Sequence, residues 1–390
     1  MSEQSSTANR HPTFELVLAA ALSGCISGCA PRGMVTPPSD DTNPYPTHDT
    51  ASAVADRFIR RNPPAELAWS WETAILTLGL ARLAEVDGSS EWTSYLVEHY
   101  RAHSDPRIRR PDDCAPALGA ALVLQHGDPA GRPALERVAN YLRTAPRNPL
   151  GALDHLDPRT RLGRLYSPSI WIDSLVMYGL TAAWVGQALD DPAMVALAHA
   201  QPVIFATHLQ DPSTGLFRHA YLHKRDYTRP ESAAFWLRGN GWVALALVEL
   251  LATMEPEQPE YLSTLAILRR LAAGLTGHRT PAGTWTTVVD APRTYEETSG
   301  TALVAFALAK SARLGLLPPE YREQAGQTLR TLTARLRTRR DGPSLRGTSG
   351  PTIPSRRAGY AAVSRSADVP YGVGAYLMLA AELSLDEPSG

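Results

Sequence analysis

From residue 50 onward the apolar residues recur at i, i+3, i+4 and i+7, the spacing of one face of an α-helix. The pattern predicts twelve helical segments, at 50–61, 71–86, 91–103, 113–125, 132–144, 171–188, 192–208, 238–253, 259–276, 297–314, 319–338 and 371–384. Short polar or Pro/Gly breaks separate them, such as Asp87-Gly88, Asp190-Asp191-Pro192 and Pro318. Strand-like stretches are few. The best is TWTTVV, residues 284–289, which predicts a small hairpin element between helices.

The two members of each pair differ. Even-numbered segments are apolar nearly all round and carry small residues inside, among them Ala74, Gly79, Ala120, Ala182, Ala244 and Ala302. Odd-numbered segments carry more Arg, Glu and Gln, as between Glu320 and Thr333. A helix apolar on all sides belongs to an inner layer and an amphipathic one outside it. The expected fold is therefore all-α, an (α/α)6 barrel with six inner helices ringed by six outer ones. The alternative is an open solenoid of helical hairpins, against which no motif repeats at fixed period.

The amino terminus stands apart. Arg10 and His11 precede a short apolar run from Leu16 to Leu22, then Ser23-Gly24-Cys25, with a second box at Ile26-Ser27-Gly28-Cys29. Residues 1–29 resemble a bacterial lipoprotein signal peptide, with Cys25 or Cys29 as the lipidated residue and the sole membrane attachment. That predicts an exported protein anchored at the cell envelope. A disordered leader with chance cysteines is the other reading, since Glu15 interrupts the run and the positive region is thin. Residues 30–49, rich in Pro, Ser, Thr and Asp, read as a flexible tether, leaving 50–390 as the barrel. Cys114 is then a lone thiol, expected to be buried.

The 390 residues carry a formal net charge of −1. Nucleic acid as a partner is excluded by the lack of a basic excess, and an anionic substrate is expected to be short or gripped at one end. Eleven His and three Cys show no metal-ligand spacing, and there is no phosphate-binding loop, so the sequence calls for no metal and no organic cofactor.

The residues foreign to a plain core gather at the starts of the even-numbered segments: Trp69 and Trp71; Asp112 and Asp113; Trp171 and Asp173; Arg238, Asn240 and Trp242; Glu296 to Ser299; Asp368 and Tyr371. In a closed barrel those six ends share one rim. Each cluster also has a structural explanation. Asp113 or Thr298 at a helix start serves as an N-cap, and Arg238 pairs equally well with a carboxylate on a neighbouring helix. Asp173 follows a better cap, Ser169, and falls inside an apolar segment, where a carboxylate is costly unless it faces a polar cavity. Burial there is expected to raise its pKa, as a proton donor requires. Arg238 and Trp242 are one helical turn apart and project from one face.

Carboxylates beside aromatic residues in a helical barrel point to carbohydrate. The run WLRGNGWV, Trp236 to Val243, closely resembles the W-x-R-G-N-G-W segment of glycoside hydrolase family 105, the unsaturated rhamnogalacturonyl hydrolases, related to family 88. The stretch DPSTGLFRH, Asp211 to His219, is similar to the family's D-x-x-T-G-L-F-x-H, YEETS from Tyr295 to its Y-x-E-T-S, and DVPYGVGA from Asp368 to its closing D-P-Y-G-x-G-A. Trp171-Ile172-Asp173 looks like the W-x-D that holds the catalytic aspartate, and Asp113 falls where the family has a second essential aspartate. Two departures stand out. The usual D-G-L reads Asp173-Ser174-Leu175, and G-G-F-x-H reads GALDH up to His155, followed by an Arg-rich insert from Arg159 to Arg164.

The resemblance implies an oligosaccharide substrate ending in a 4,5-unsaturated uronic acid, the product of polysaccharide lyases, with the pectin or rhamnogalacturonan type expected first. It makes Asp173 the general acid and base and Asp113 an orienting carboxylate. Arg238 becomes the partner of the uronate carboxylate, Trp71, Trp171 and Trp242 the aromatic walls, and His155 and His219 hydrogen-bond donors. Two other readings use the same barrel: a sugar epimerase, which wants paired histidines facing a ring carbon, and a lipid-anchored sugar-binding protein.

Overall fold

The computed structural model describes residues 47–385. The leader expected over 1–29, with Cys25 and Cys29, and the tether as far as residue 46 lie outside them. Twelve long helices follow in chain order: α1 Thr47–Arg61, α2 Trp71–Asp87, α3 Ser90–Ala102, α4 Ala117–Gln125, α5 Arg132–Thr144, α6, a π-helical Leu175–Leu180 running into Thr181–Ala188, α7 Pro192–Leu209, α8 Leu237–Leu251, α9 Pro259–Thr276, α10 Thr298–Arg313, α11 Glu320–Ala334 and α12 Pro370–Ser384. The first helix begins three residues inside the expected tether.

Each even-numbered helix packs on the next, and α12 packs back on α2, so the inner ring is closed. The outer helices sit against it in turn, α1 on α12, α3 on α2, α5 on α4, α7 on α6, α9 on α8 and α11 on α10. This is the (α/α)6 barrel, and closure excludes the open solenoid. Burial follows the expected layers. Every residue of α8 is buried, whereas α5 buries one stripe, Ala134, Leu135, Val138, Ala139, Tyr141 and Leu142, and turns Arg132, Glu136 and Arg137 outward.

The ring closes on two glycines. A Cβ on Gly79 of α2 would lie 2.3 Å from the carbonyl oxygen of Gly374 on α12, and one on Gly374 would lie 2.0 Å from the carbonyl oxygen of Ile75. The backbones touch where side chains would hold them apart. Local signals fix the ends of α2: Ser70 and Thr73 form a capping box, and Gly88 ends the helix at φ 66°, its N–H bonded 2.8 Å from the Ala84 oxygen. At the barrel end away from the rim, Glu249 is buried between Lys310 (2.7 Å) and Arg82 (3.6 Å), cations near the carboxyl termini of α10 and α2.

Three expectations change. The segment at 113–125 is a 3-10 turn, Pro111–Cys114, followed by α4, because Pro116 has no N–H to donate back to Asp112. The segment at 171–188 opens as a strand: β1, Ile170–Trp171, pairs antiparallel with β2, Ala220–Leu222, which pairs with β3, Tyr227–Arg229. The stretch 284–289 is not a hairpin. It makes only isolated bridges, Trp236 with Val288 and Thr286 with Glu296, which tie the starts of α8 and α10 together. The sequence also predicted nothing between 338 and 371. There the chain crosses the rim as the paired strands Thr348–Ser349 and Arg365–Ser366 and a one-turn helix, Arg357–Ala361.

Candidate active site

The β1–β2 pairing places the central residues. Its register sets Trp171 opposite Ala220, and one step further on the Ile172 N–H donates to the His219 carbonyl at 2.9 Å. Asp173 and His219 thus arrive side by side. Asp173 is not inside a helix, as its apolar neighbours suggested, but in the turn ahead of α6, where its carbonyl accepts the N–H groups of Val176 and Met177, both at 3.0 Å. Its side chain keeps 13 % of its surface open, and Oδ2 lies 3.2 Å from His219 Nε2. That approach is too oblique for a hydrogen bond, so both atoms are buried without an aligned partner.

The other side of His219 is tied down. Its Nδ1 lies 2.9 Å from the Tyr360 hydroxyl, which accepts the Ser355 N–H at 3.1 Å. With that donor already on the phenolic oxygen, the Tyr360 O–H is free to donate to Nδ1, which assigns the imidazole proton to Nε2, facing Asp173. The ring also stacks on Trp236, centroids 4.5 Å apart.

On the opposite flank His155 lies flat on Trp171, centroids 4.2 Å apart, with Nδ1 at 2.9 Å from Ser174 Oγ and Nε2 at 3.7 Å from Asp112 Oδ1. Ser174 is one of the two departures from the family pattern, and its hydroxyl orients the histidine that ends the other. Asp113 stands in the 3-10 turn before α4, its Oδ2 accepting the Arg109 N–H at 2.9 Å and its carbonyl accepting Trp69 Nε1 at 2.8 Å. Asp112, not Asp113, is the carboxylate that faces His155.

Two expected roles do not fit the geometry. Arg238 is 1 % exposed, and its guanidinium is spent on the segment that crosses the rim: Ser349 O (3.0 Å), Ser349 Oγ (2.5 Å), Gly350 O (2.8 Å) and Thr352 Oγ1 (3.1 Å). It lies between the Trp236 and Tyr371 rings, 4.7 and 4.9 Å from their centroids, and leaves no fork for a substrate carboxylate. Trp242 and Trp171 are likewise buried and cannot stack on a sugar. Trp242 meets Trp71 edge-on at 6.4 Å, and Trp171 is covered by His155. Trp71 is the half-buried indole at the rim.

The remaining rim residues are structural. Glu297 caps α10, accepting the N–H groups of Ser299 (3.1 Å) and Gly300 (2.7 Å) and also that of Ser349 (2.9 Å). Asp368 binds Arg57 at 2.6 Å, away from Asp173's partners.

The model of Glycosyl Hydrolase Family 88 matches residues 50–385. The chain belongs to that family. It is 26% identical over 270 residues to the unsaturated rhamnogalacturonyl hydrolase YesR of Bacillus subtilis, covering 68% of this chain and 77% of the relative. Among solved structures, a family 105 glycoside hydrolase of C. acetobutylicum superposes with a TM-score of 0.76 at 22% identity, covering 85% of this chain and 98% of the other. The unsaturated glucuronyl hydrolase of Bacillus sp. GL1, which acts in glycosaminoglycan degradation, superposes with a TM-score of 0.67 at 15% identity, covering 85% and 95%. These structures share the barrel.

In this family 88 glycosidase the electrostatics around Asp173 run against the expected upward shift. Burial pushes its carboxyl up, but His219 and His155 more than offset this, and the pKa lies below the ordinary 3.8. Burial also pushes His219 below 6.5, against the pull of Asp173. At neutral pH the pair therefore holds one negative charge, on Asp173, beside a neutral imidazole. Burial raises Asp113, against Arg109 and Arg110. It also raises Glu72, a half-buried carboxylate in the first turn of α2 that Arg238 pulls the other way. Tyr360, bonded to His219, belongs to the site and was missed in the sequence, as was Glu72 at the start of α2. Glu72 reads as an ordinary first-turn acid, and Tyr360 sits in a stretch without periodicity.

Proposed function

We infer that this enzyme removes a 4,5-unsaturated uronic acid from the non-reducing end of lyase-generated oligosaccharides, pectin or rhamnogalacturonan fragments first among them. The observation that carries the reading is the Asp173 carboxyl, partly open to the rim, with Oδ2 3.2 Å from His219 Nε2 and without an aligned hydrogen-bond partner on that oxygen among the described residues. An enol ether needs one acid that protonates C4 and one base that takes a proton from the water adding at C5. One carboxyl performs both in turn. The resulting C5 hemiketal opens the ring, leaving a hemiacetal at C1 that expels the remaining sugar as an alcohol.

The depressed pKa of free Asp173 is compatible with this role because the substrate is an anion. A uronate carboxylate beside Asp173 disfavours its ionised form and pushes its pKa up, coupling proton uptake to binding. Epimerisation is not favoured: His155 and His219 are buried and stacked flat on Trp171 and Trp236, so neither faces a ring carbon.

The test is loss of the ultraviolet absorbance of unsaturated disaccharides from pectin, ulvan and glycosaminoglycan lyases, which only hydration of the double bond removes. Disappearance of the chromophore with release of a reducing sugar supports the reading; release of sugar from saturated glycosides with the chromophore untouched overturns it. Export and lipid anchoring at Cys25 or Cys29 are proposed on the lipoprotein-like motif. Palmitate labelling of the cells, abolished in the Cys25→Ala/Cys29→Ala double variant, tests that.

A further inference from the structure

A cleft of about 980 Å³ beside the rim is lined by six arginines, Arg107, Arg109, Arg110, Arg137, Arg159 and Arg161, with Asp105 the single carboxylate in its wall. The arginines come from three places: the loop after α3, the exposed face of α5, and the Arg-rich insert that separates this sequence from the family pattern. Contacts within the protein neutralise only part of the charge. Arg137 pairs with Asp105, and Arg159 with Asp157 at 2.7 Å. Arg109 and Arg110 share Asp113 at 3.8 and 3.7 Å, and Arg110 also reaches Asp112 at 3.6 Å. Arg107 and Arg161 are exposed and make no ion pair among the described residues. A chain with a net charge of −1 therefore carries a furrow with a local positive excess.

The furrow begins where the site ends. Arg109 and Arg110 hold the carboxylates of the 3-10 turn, of which Asp112 faces His155. Leu156, another wall residue, belongs to the small apolar cluster around Trp171. Sugars extending from Asp173 towards the 3-10 turn would meet these residues. Guanidinium forks match planar or tetrahedral oxyanions and hold them with two parallel hydrogen bonds. We propose that the arginine furrow binds the leaving part of the substrate and selects oligosaccharides that are acidic beyond the terminal uronide, through carboxylate or sulfate groups. This rests on the reading that Asp173 acts on an unsaturated uronide. It also extends the sequence expectation of a short anion held at one end, since the furrow offers charge over several sugars.

The test uses the full-length enzyme and the Arg107→Ala/Arg161→Ala double variant, whose altered residues touch neither Asp112 nor Asp113. Three substrates are compared by loss of absorbance: an unsaturated trigalacturonate, a sulfated unsaturated disaccharide, and an unsaturated uronyl-rhamnose with a neutral remainder. The double variant is expected to raise KM about tenfold for the acidic substrates, the loss of roughly one charge-assisted contact. Its kcat is expected to hold, and KM for the neutral substrate to stay put. Added salt should raise the wild-type KM for acidic substrates and do less to the variant. An effect on only one acidic substrate tells carboxylate from sulfate. Equal effects on acidic and neutral substrates, or none on either, overturn the proposal. If the wild type consumes no unsaturated uronide, the functional reading fails by itself, and the furrow is then judged by calorimetric binding of saturated trigalacturonate. Weaker binding by the variant supports it, and equal binding overturns it.

Discussion

The Tyr360 hydroxyl lies 2.9 Å from Nδ1 of His219 and thereby decides which edge of the imidazole carries the proton facing Asp173. Asp173→Asn keeps the volume but removes proton exchange, and turnover is expected to fall roughly 10²–10⁴-fold, with the circular dichroism spectrum and substrate binding retained. Tyr360→Phe removes the tautomer-setting bond together with the acceptor of the Ser355 N–H. A fall in kcat of about tenfold with little change in KM is expected, and the pH–rate profile should move. An unaltered profile assigns Tyr360 to packing alone.

Arg238 is expected to behave as a structural residue. Arg238→Ala removes a guanidinium that satisfies two backbone carbonyls and two hydroxyls, and should cost about 3 kcal/mol of stability. Arg238→Lys cannot span the same acceptors and should rescue little. Chemical denaturation of both variants, alongside KM, distinguishes the cases: a residue that grips substrate would raise KM at unchanged stability.

Stability should fall on acidification, and the sign follows from the buried histidines. Burial lowers His99 to about 4, against the raising effect of its hydrogen bond to Pro64 O, and it also lowers His199 and His219. The unfolded chain takes up these protons near pH 6.5 and the folded chain at lower pH, about 4 for His99. The stabilisation is therefore complete above pH 6.5 and drains away as pH falls towards 4. For His99 alone this amounts to about 3 kcal/mol. Thermal melts between pH 4 and 8 test it, and His99→Asn, whose amide can replace Nδ1, should flatten the slope.

The glycine seam predicts asymmetric tolerance. Gly79→Ala would place a methyl against the Gly374 backbone and should cost roughly 3 kcal/mol or more. In Gly326→Ala, on outer helix α11, the new Cβ meets only Arg330 Nη1 at 3.6 Å. That change should stabilise by up to about 1 kcal/mol through helix propensity. Melting temperatures of the two variants are the comparison.

The barrel was legible because its evidence is periodic. Helices all-apolar in one layer and striped in the other announce the double ring, and α5 and α9 begin and end where their breaks predict. The convergence of the six inner helix starts was legible for the same reason, and it brought Asp113 and Asp173 into view, while His155 and His219 came from the resemblance to family motifs. What could not be read is which way each side chain turns. Arg238 and Trp242 have the chemistry of a sugar site, yet burial directs them to Ser349, Gly350 and Trp71. The partners that decide this lie in the rim-crossing segment, whose short strands and single helical turn leave no period. Tyr360 was hidden with them. The pKa of Asp173 was misjudged because burial acts on an isolated carboxyl in one direction, while two neighbouring imidazoles act in the other.

The Gly79–Gly374 contact also governs when the enzyme comes into being. A nascent chain that has released five inner helices has Asp113, His155, Asp173 and His219 outside the ribosome, yet its ring is an open horseshoe with an unsealed apolar edge on α2. Only when α12 emerges does that edge find its mate, so assembly waits on the last segment, and shortened chains lacking it are expected to be aggregation-prone and inert, not partly active.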